Sequence, residues 1–478
     1  MSTASTPTSA TEHLHPATTR TLAALIVGGA AAILDSTIVT IALDHVSTDL
    51  HSTPTTIQWV VTAYLLALVA AIPLSGWAQS TFGGKRSWMA TLTIFVIFSV
   101  ACACAWNDTS LIVFRALQGF GAGMIFPLMQ TLAVQAIGKA STKVMATTIA
   151  AISVPLALGP VIGPVLGGIV LNAAGWRWLF LINVPLIGVG LVMAWRLIAP
   201  DAPRSPQSTR VDVIGLALLI PSLVCIVLGL SNVASDGGFG QADVLVPLAG
   251  GLALIGAFIT WAVRRGVRAA VNISLLRLRS LAASSGTLFT AGATMFAGMF
   301  LLPLYWQQVR GDSILSAALV LVPQGVGALL ARIVAGRLAA RFGARALTIG
   351  AFLLTALATI PFAVADPDAS GWWLGCALFV RGLGVGAVIM APMMVAYADV
   401  EHEEMAHATM VTRIVQQIGA SLGIAVVAVV LQNSAATDVT AGYQTAFWWL
   451  IGITAVALIP AIAFRRESLD DEASATKG

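Results

Sequence analysis

Residues 114–127 read FRALQGFGAGMIFP, and residues 380–392 read VRGLGVGAVIMAP. Each stretch contains an arginine, a group of glycines and a proline in that order, and the two copies are 265 to 266 residues apart. GWAQSTFGGKR at 76–86 and GRLAARFGARA at 336–346 form a second pair, which shares two glycines seven residues apart and a following basic residue. This second pair is 260 residues apart, so the sequence predicts two repeated halves. Repeated halves that rock about a central site are typical of membrane transporters.

The composition is that of a membrane protein, because 58% of the 478 residues are hydrophobic and only 10% are charged. Soluble domains carry about 25% charged residues. Apolar runs of about 20 residues recur along the chain, and each is long enough to cross a hydrocarbon core of about 30 Å. Polar and Gly/Pro-rich breaks predict an all-α polytopic protein with fourteen spans: 22–44, 57–77, 89–106, 110–136, 143–171, 178–198, 212–232, 244–264, 282–305, 314–337, 346–365, 370–396, 405–432 and 442–464. The two spans within 212–264 are also consistent with segments that lie at the membrane interface, but we favour two full spans.

Basic residues predict the orientation of these spans. The loops on one side carry 19 of the 25 Lys and Arg residues, whereas the loops on the other side carry only Arg177 and Arg310. By the positive-inside rule, both termini are expected in the cytoplasm, which requires an even number of spans. The net charge of +4 therefore indicates topology and attraction to a bilayer, and no nucleic-acid partner is predicted.

The predicted spans divide the chain into five parts. Residues 1–20 form a disordered cytoplasmic tail, and residues 467–478 form a second cytoplasmic tail. Residues 21–200 form an N-terminal six-helix bundle, and residues 267–466 form a C-terminal six-helix bundle. Residues 201–266 form an inserted two-helix segment between the bundles.

Several motifs resemble those of the fourteen-helix drug:proton antiporter family of the major facilitator superfamily. They are LDSTIVTIAL at 34–43, the 76–86 loop, FRALQGFGAG at 114–123, LGPVIGPVLGG at 158–168, WRWLFLINVP at 176–185 and TRIVQQIGASLG at 412–423. The resemblance extends from the first span to the last. It implies the major facilitator fold, with two six-helix bundles and two additional helices between them, and the export of drugs or antibiotics in exchange for protons.

Asp35 lies inside the first span, where an acid costs roughly 2.5–3.5 kcal/mol on insertion scales and needs a partner, a wet cavity or a function. Arg115 of the fourth span is expected at a depth that differs from that of Asp35 by about 6 Å, so we predict that the two side chains meet. The pair is either a structural ion pair or the proton-coupling site. In the coupling interpretation, burial favours the protonated acid and the guanidinium favours the carboxylate. A cationic drug would compete with the proton for the same carboxylate.

The fifth span carries a run of glycines and prolines that resembles the family's antiporter motif. Its glycines recur every four residues and line one face, where another helix can approach closely, and its prolines bend the helix. The alternative is ordinary packing of small residues. The motif residues are Pro155, Gly159, Pro160, Gly163, Pro164, Gly167 and Gly168.

Two loops are predicted to gate the basic side of the protein. The resemblance implies that the first loop docks on the opposite half and latches an outward-open state, although its basic residues also act as topology determinants. Ser80 and Ala340 stand where the family usually has an acid, which puts a latch through that carboxylate in doubt. The predicted gating residues are Gly76, Gly83, Lys85, Arg86, Gly336, Arg341, Gly343 and Arg345, and Arg381 is predicted to be a buried arginine of the second half.

The leading hypothesis is a proton-coupled antiporter of a bacterial plasma (inner) membrane that exports amphipathic drugs or antibiotics by alternating access. A lipid or an endogenous metabolite is the alternative cargo, because a fold does not determine a substrate. A polytopic membrane enzyme or sensor is the remote alternative, since the sequence has no metal-ligand cluster, nucleophile constellation or phosphate-binding loop. We therefore predict a monomeric transporter that is not an enzyme, needs no cofactor and draws its energy from the proton gradient.

Overall fold

The computed structural model describes residues 16–137, 159, 162–163, 166–201, 212–236, 240–401, 404–435, 438–462 and 464. All regular secondary structure within these residues is helical. Twelve of the helices in the described residues are long and apolar enough to cross a membrane. The prediction of an all-α polytopic membrane protein is therefore confirmed.

Helix bounds follow the predicted spans closely. The helices before the insertion are α1 (Pro16–Ile38), α2 (Leu43–Asp49), α3 (Pro54–Phe82), α4 (Gly84–Ala103), α5 (Asp108–Ile137), α6 (residues 166–174), α7 (Arg177–Leu181) and α8 (Asn183–Leu197). The inserted helices are α9 (Val213–Asp236) and α10 (Ala242–Arg265). The helices after the insertion are α11 (Arg279–Gln308), α12 (Ile314–Val320), α13 (Val322–Val364), α14 (Gly371–Ala396), α15 (Met405–Ala435), α16 (Val439–Val456) and α17 (Leu458–Ile462).

Two of the fourteen predicted spans have no counterpart among these twelve helices of the described residues. The fifth, 143–171, lies mostly outside the described residues, and α6 is its end. The tenth, 314–337, consists of α12 and the first part of α13, which continues into the eleventh through a kink at Gly343. Gly343 has a φ of 77°, and Gly83 has a φ of 106° at the corresponding place between α3 and α4. Only glycine adopts positive φ without steric cost, so both copies of the repeated loop turn at their second glycine.

Glycines of the repeated motif bring paired helices into backbone contact. A Cβ atom at Gly119 of α5 would overlap the backbone of Tyr64 in α3, and one at Gly382 of α14 would overlap the backbone of Gln324 in α13. The next turn repeats the arrangement with Gly123 on Leu68 and Gly386 on Ala328. Small residues at these positions therefore pack α5 on α3 and α14 on α13 in the same way.

The inserted helices pack across both halves. We call the end of the molecule that carries Lys85 and Arg264 the basic end. Towards the basic end, Ile72 of α3, Leu223 of α9 and Met410 of α15 share one buried cluster. Farther from it, α9 continues to pack on α15 through a second cluster that contains Leu230 and Ala425. Thus α9 packs on α15 in both clusters, and it packs on α3 in the cluster nearer the basic end.

The two halves meet near the basic end. The hydroxyl groups of Thr131 in α5 and Thr409 in α15 are 2.8 Å apart. The Arg413 guanidinium lies 4.5 Å from the centroid of the Phe126 ring. Towards the opposite end, the two large hydrophobic clusters of the described residues each draw their buried members from a single half.

Candidate functional site

Asp35 of α1 and Arg115 of α5 form an ion pair inside the first half. Arg115 Nη1 lies 2.6 Å from Asp35 Oδ2, and the side chains are 1% and 0% exposed. Charge-assisted bonds of this length are among the stronger hydrogen bonds in proteins. The structure thus brings together the two residues that the sequence places at similar depth.

Three further polar side chains complete the surroundings of Asp35. Gln118 Nε2 donates to Asp35 Oδ1 at 3.0 Å, and Asn183 Nδ2 donates to the same oxygen at 2.8 Å. Both amides also donate to the Ser99 hydroxyl, which itself donates to the Phe180 carbonyl at 2.9 Å. The network therefore joins α1, α4, α5 and the start of α8 around one carboxylate.

Arg115 is enclosed as completely as Asp35. Its Nε donates to the Val60 carbonyl at 3.2 Å, and its Nη1 also donates to Gln118 Oε1 at 2.8 Å. The guanidinium carbon lies 4.0 Å from the centroid of the Tyr64 ring, a distance suited to a cation–π interaction. The site is electrically balanced, with one buried anion and one buried cation.

Ser99, Gln118 and Asn183 were not identified from the sequence as site residues. Gln118 follows Arg115 by three residues and so lies on the same helix face, which is a usable signal. Ser99 and Asn183 come from two other helices, and only the packing of those helices brings them to Asp35.

The fifth span packs directly on the part of α1 that carries Asp35. Thr37 Oγ1 donates to the Gly159 carbonyl at 3.2 Å. A Cβ atom at Gly159 would overlap the Ile33 side chain, and one at Gly163 would overlap Thr37. These glycines therefore permit close contact with α1 on both sides of Asp35 along the chain. Of the other motif residues, Gly167 and Gly168 lie in α6, whereas Pro155, Pro160 and Pro164 lie outside the described residues.

The basic residues of the first loop hold the end of α8. Lys85 Nζ donates to the carbonyls of Trp195 and Ile198 at 2.6 and 2.7 Å. The Asp201 carboxylate accepts from the backbone N–H groups of Lys85 and Arg86 at 3.0 and 3.2 Å. Asp201 thus caps the start of α4 and places an acid at this loop, a role that sequence reasoning missed.

Contact of this loop region with the second half is made by Gly76. A Cβ atom at Gly76 would overlap the side chain of Met410 in α15. Ser80, at the position where the family usually has an acid, is exposed and donates to the Trp77 carbonyl. The described hydrogen bonds of Lys85 and Arg86 are with the end of α8 and with Asp201, and none of them reaches the second half.

The second loop copy is a continuous helix up to its kink. Gly336 and Arg341 precede the kink at Gly343 within α13, and Arg345 follows it. Arg341 is exposed, with its guanidinium carbon 5.2 Å from the centroid of the exposed Phe342 ring, whereas Arg345 is half-buried. The side chain of Ala340 lies outside the described set.

Arg381 is buried in the second half and is 1% exposed. Its Nε donates to Thr359 Oγ1 at 3.2 Å, and its Nη1 donates to Gln324 Oε1 at 2.8 Å. Its Nη2 has no hydrogen-bond partner among the described residues. A Cβ atom at Gly298 of α11 would overlap this guanidinium, so the contacting residue of α11 is a glycine.

The matching of Arg381 with Arg115 in the two motif copies is wrong. Gly119 and Gly382 make the equivalent helix contacts and are 263 residues apart, so Arg381 corresponds to Gln118. The sequence comparison aligned the arginines, but the glycine contacts determine which faces of the helices correspond. The second half therefore carries a cation where the first half carries a neutral amide.

The rim opposite the basic end is held by Asp49. Trp176 Nε1 donates to Asp49 Oδ2 at 2.9 Å, and Arg177 Nη1 pairs with the same oxygen at 2.7 Å. The hydrogen bond from Trp176 and then that from Arg177 lower the pKa of Asp49 below its usual 3.8. Trp176 is buried, so Trp178, which is 54% exposed, is the tryptophan of this segment that faces outward.

Comparison with known proteins places the chain among membrane transporters. The family model described as Major Facilitator Superfamily matches residues 25–424. A multidrug resistance protein B homolog of Mycobacterium tuberculosis is 34% identical over 86% of this chain and 76% of its own length. A putative multidrug resistance protein MdtD of Serratia proteamaculans is 27% identical over 93% and 92%. The crystal structure of the human organic anion transporter MFSD10 matches with a TM-score of 0.62 and 15% identity, covering 94% of this chain and all of that one, which indicates a shared fold.

Proposed function

Because the chain belongs to the Major Facilitator Superfamily, a family of membrane transporters, we propose that it exports amphipathic drugs or antibiotics in exchange for protons. The names of the two multidrug resistance relatives support the class of cargo. The Asp35–Arg115 ion pair is the observation that carries the proposed coupling, since a fully buried carboxylate within a span is a strong candidate for a proton carrier. We further propose a monomer in a bacterial plasma membrane, with both termini cytoplasmic.

Protonation of Asp35 changes the balance of forces in the first half. The neutral acid no longer compensates the charge of Arg115, which stays protonated at all physiological pH values. Arg115 then retains only neutral acceptors, the Val60 carbonyl and Gln118 Oε1. The hydrogen bonds that join α1, α4, α5 and α8 rearrange as a unit, so one proton alters how four helices pack.

The fifth span provides a route from the proton to the helix arrangement. Gly159 and Gly163 contact α1 at Ile33 and Thr37, close to Asp35 in the chain. A change in the conformation of α1 at Asp35 therefore moves Ile33 and Thr37 against the fifth span. At Gly159 and Gly163 the fifth span has no room for a side chain. The protonated and ionised forms of Asp35 thus favour different packings of α1 on the fifth span. Alternating access requires such a free-energy difference between two conformations.

A low proton stoichiometry fits the acids of the spans. Besides Asp35, the only buried acid of the described residues is Asp212, which lies just before α9 at the basic end. The contacts between halves near the basic end support an arrangement that opens towards the opposite side.

Overexpression in a bacterial host without its major efflux pumps tests the proposed export. We expect raised minimal inhibitory concentrations for part of a broad panel of amphipathic drugs, and loss of this protection when an uncoupler collapses the proton gradient. A panel without any shift would contradict drug export and favour a lipid or metabolite cargo.

A further inference from the structure

Arg413 is a cation at the interface between the two halves. It is the ninth residue of α15, about 12 Å along the helix axis from Met405 at 1.5 Å per residue. Its guanidinium carbon lies 4.5 Å from the centroid of the Phe126 ring, which belongs to α5 of the other half. The side chain is half-buried, so part of it remains accessible between the helices.

Arg413 lacks a carboxylate partner in the part of the chain that the structure describes. The ion pairs found there are Arg115 with Asp35, Arg177 with Asp49, and Arg265 with Asp212. The described hydrogen bonds that Asp35 accepts all come from residues of the first half, Arg115, Gln118 and Asn183. A charge within a membrane span is costly without a counter-charge, so Arg413 is an attractive site for an anion.

A second donor stands beside Arg413. Arg413 Nη1 donates to Gln416 Oε1 at 3.0 Å, and this bond fixes which end of the amide is the oxygen. Gln416 Nε2 is then a donor, and it is buried without a hydrogen-bond partner in the described structure. Gln416 itself is only 5% exposed. A guanidinium and an unused amide N–H on one helix face can bind the two oxygens of one carboxylate.

The rest of the second half strengthens this preference for an anion. Arg381 is fully buried, has no ion-pair partner among the described residues, and leaves its Nη2 without an acceptor. The first half, in contrast, balances Arg115 with Asp35. Arg381 and Arg413, which have no ion-pair partner among the described residues, thus both lie in the second half and both are positive.

We propose that Arg413 and Gln416 Nε2 bind the carboxylate of an acidic amphipathic substrate, whose apolar part lies against Phe126. This inference rests on the proposed export function and narrows its cargo to acids. It also separates the two charges of the exchange, because the proton binds at Asp35 in the first half and the substrate anion binds at Arg413 in the second.

Binding to the purified full-length protein in nanodiscs tests the proposal. The probes are dansylaminoundecanoate, its neutral methyl ester and the matched dansylaminoundecylamine, which share the fluorophore and the chain. We expect the carboxylate to bind about tenfold tighter than the ester, which corresponds to a pair of charge-assisted hydrogen bonds, and tighter still than the amine. Equal binding of the acid and the ester, or tighter binding of the amine, would overturn the proposal.

Variants assign the preference to the site. Arg413→Gln is expected to bring the ratio of acid to ester affinity close to one, Arg413→Lys to retain part of the ratio, and Gln416→Leu to lower it severalfold. Arg279→Gln, which removes an exposed arginine at the start of α11, is the control and should leave the ratio unchanged. If Arg413→Gln does not fold, Gln416→Leu and Arg413→Lys decide, and an unchanged ratio in both would overturn the assignment.

The same measurements separate this inference from the proposed function. If the protein prefers the carboxylate probe but never exchanges cargo for protons, the proposed binding site is supported and the proposed antiport mechanism is contradicted. If the protein exchanges cationic drugs for protons without any preference for the acid, the proposed antiport mechanism is supported and the proposed binding site is contradicted.

Discussion

Arg115 Nη1 lies 2.6 Å from Asp35 Oδ2, in a pair that joins α5 to α1 and excludes solvent from both side chains. Gln118 and Asn183 donate to the other carboxylate oxygen, so each oxygen of Asp35 has a partner. A cation from the substrate pathway reaches this carboxylate only after these helices separate. The direct competition between cationic drug and proton that the sequence suggests therefore requires a conformation different from this one.

Removal of the arginine alone should destabilise the protein strongly. Arg115→Gln leaves Asp35 as an uncompensated buried anion, and breaking a buried pair in this way costs about 3–5 kcal/mol. The double variant Asp35→Asn/Arg115→Gln removes both charges and should lose less stability than the sum of the single variants. Apparent melting temperatures of the purified proteins check this, and strict additivity would contradict the coupling of the two side chains.

Close packing of the fifth span on α1 predicts a difference between two glycines. Gly163→Leu should reduce transport at least severalfold without loss of expression, because its side chain would overlap Thr37. Gly188→Leu in α8 is the matched control, since a Cβ atom at Gly188 meets nothing within 4 Å. Transport is measured as drug efflux from cells that express equal amounts of each protein. Normal efflux by Gly163→Leu would refute the predicted role of this contact.

Asp201 should stabilise the loop between α3 and α4. Asp201→Ala removes the acceptor for two backbone N–H groups at the start of α4, and loss of a helix cap costs about 0.5–2 kcal/mol. We expect a lower melting temperature and faster cleavage of this loop by a protease added at the basic end. Asp201→Asn keeps an acceptor oxygen and should recover part of the loss. Identical stability of Asp201→Ala and the unaltered protein would show that the cap contributes little.

The rim contact of Asp49 should depend on pH. Its pKa in the folded protein lies below the 3.8 of the free group, so it stabilises the fold above pH 3.8 and loses this effect as the pH falls through the lowered value. Asp49→Ala should therefore lower the melting temperature slightly at neutral pH and have no effect once the pH is well below the lowered pKa of Asp49. The gap should be small, because both partners are nearly half exposed. Asp243→Ala, at an exposed acid of α10, is the control.

The sequence predicted the helices and the central pair, because both depend on properties that run along the chain. Apolar length located the spans, and counting residues from the helix ends placed Asp35 and Arg115 at similar depth. Ser99 and Asn183 were missed because the rotation of one helix against another is set by packing. The same limit explains the wrong match of Arg381 with Arg115, since glycine contacts decide which helix faces correspond.

Asp201 shows a second limit of sequence reasoning. The absence of an acid at Ser80 put a latch through that carboxylate in doubt, yet the carboxylate of Asp201, just beyond the end of α8, lies at the same loop. Only the folded structure shows that a residue distant in the chain supplies an acid to this loop, because folding brings the loop and the end of α8 together.

Proton-driven exchange by the Asp35→Asn variant tests the central claim most directly. Proteoliposomes are loaded with a pH-sensitive dye, a pH gradient is imposed, and uptake of a fluorescent drug that the unaltered protein exports is followed. Asp243→Asn serves as the matched control, because it removes an exposed acid outside the network. We predict that Asp35→Asn binds the drug but that its rate of gradient-driven exchange falls at least about tenfold. This corresponds to an activation barrier that is higher by about 1.4 kcal/mol or more. An unchanged response to the pH gradient in Asp35→Asn would contradict proton coupling at Asp35.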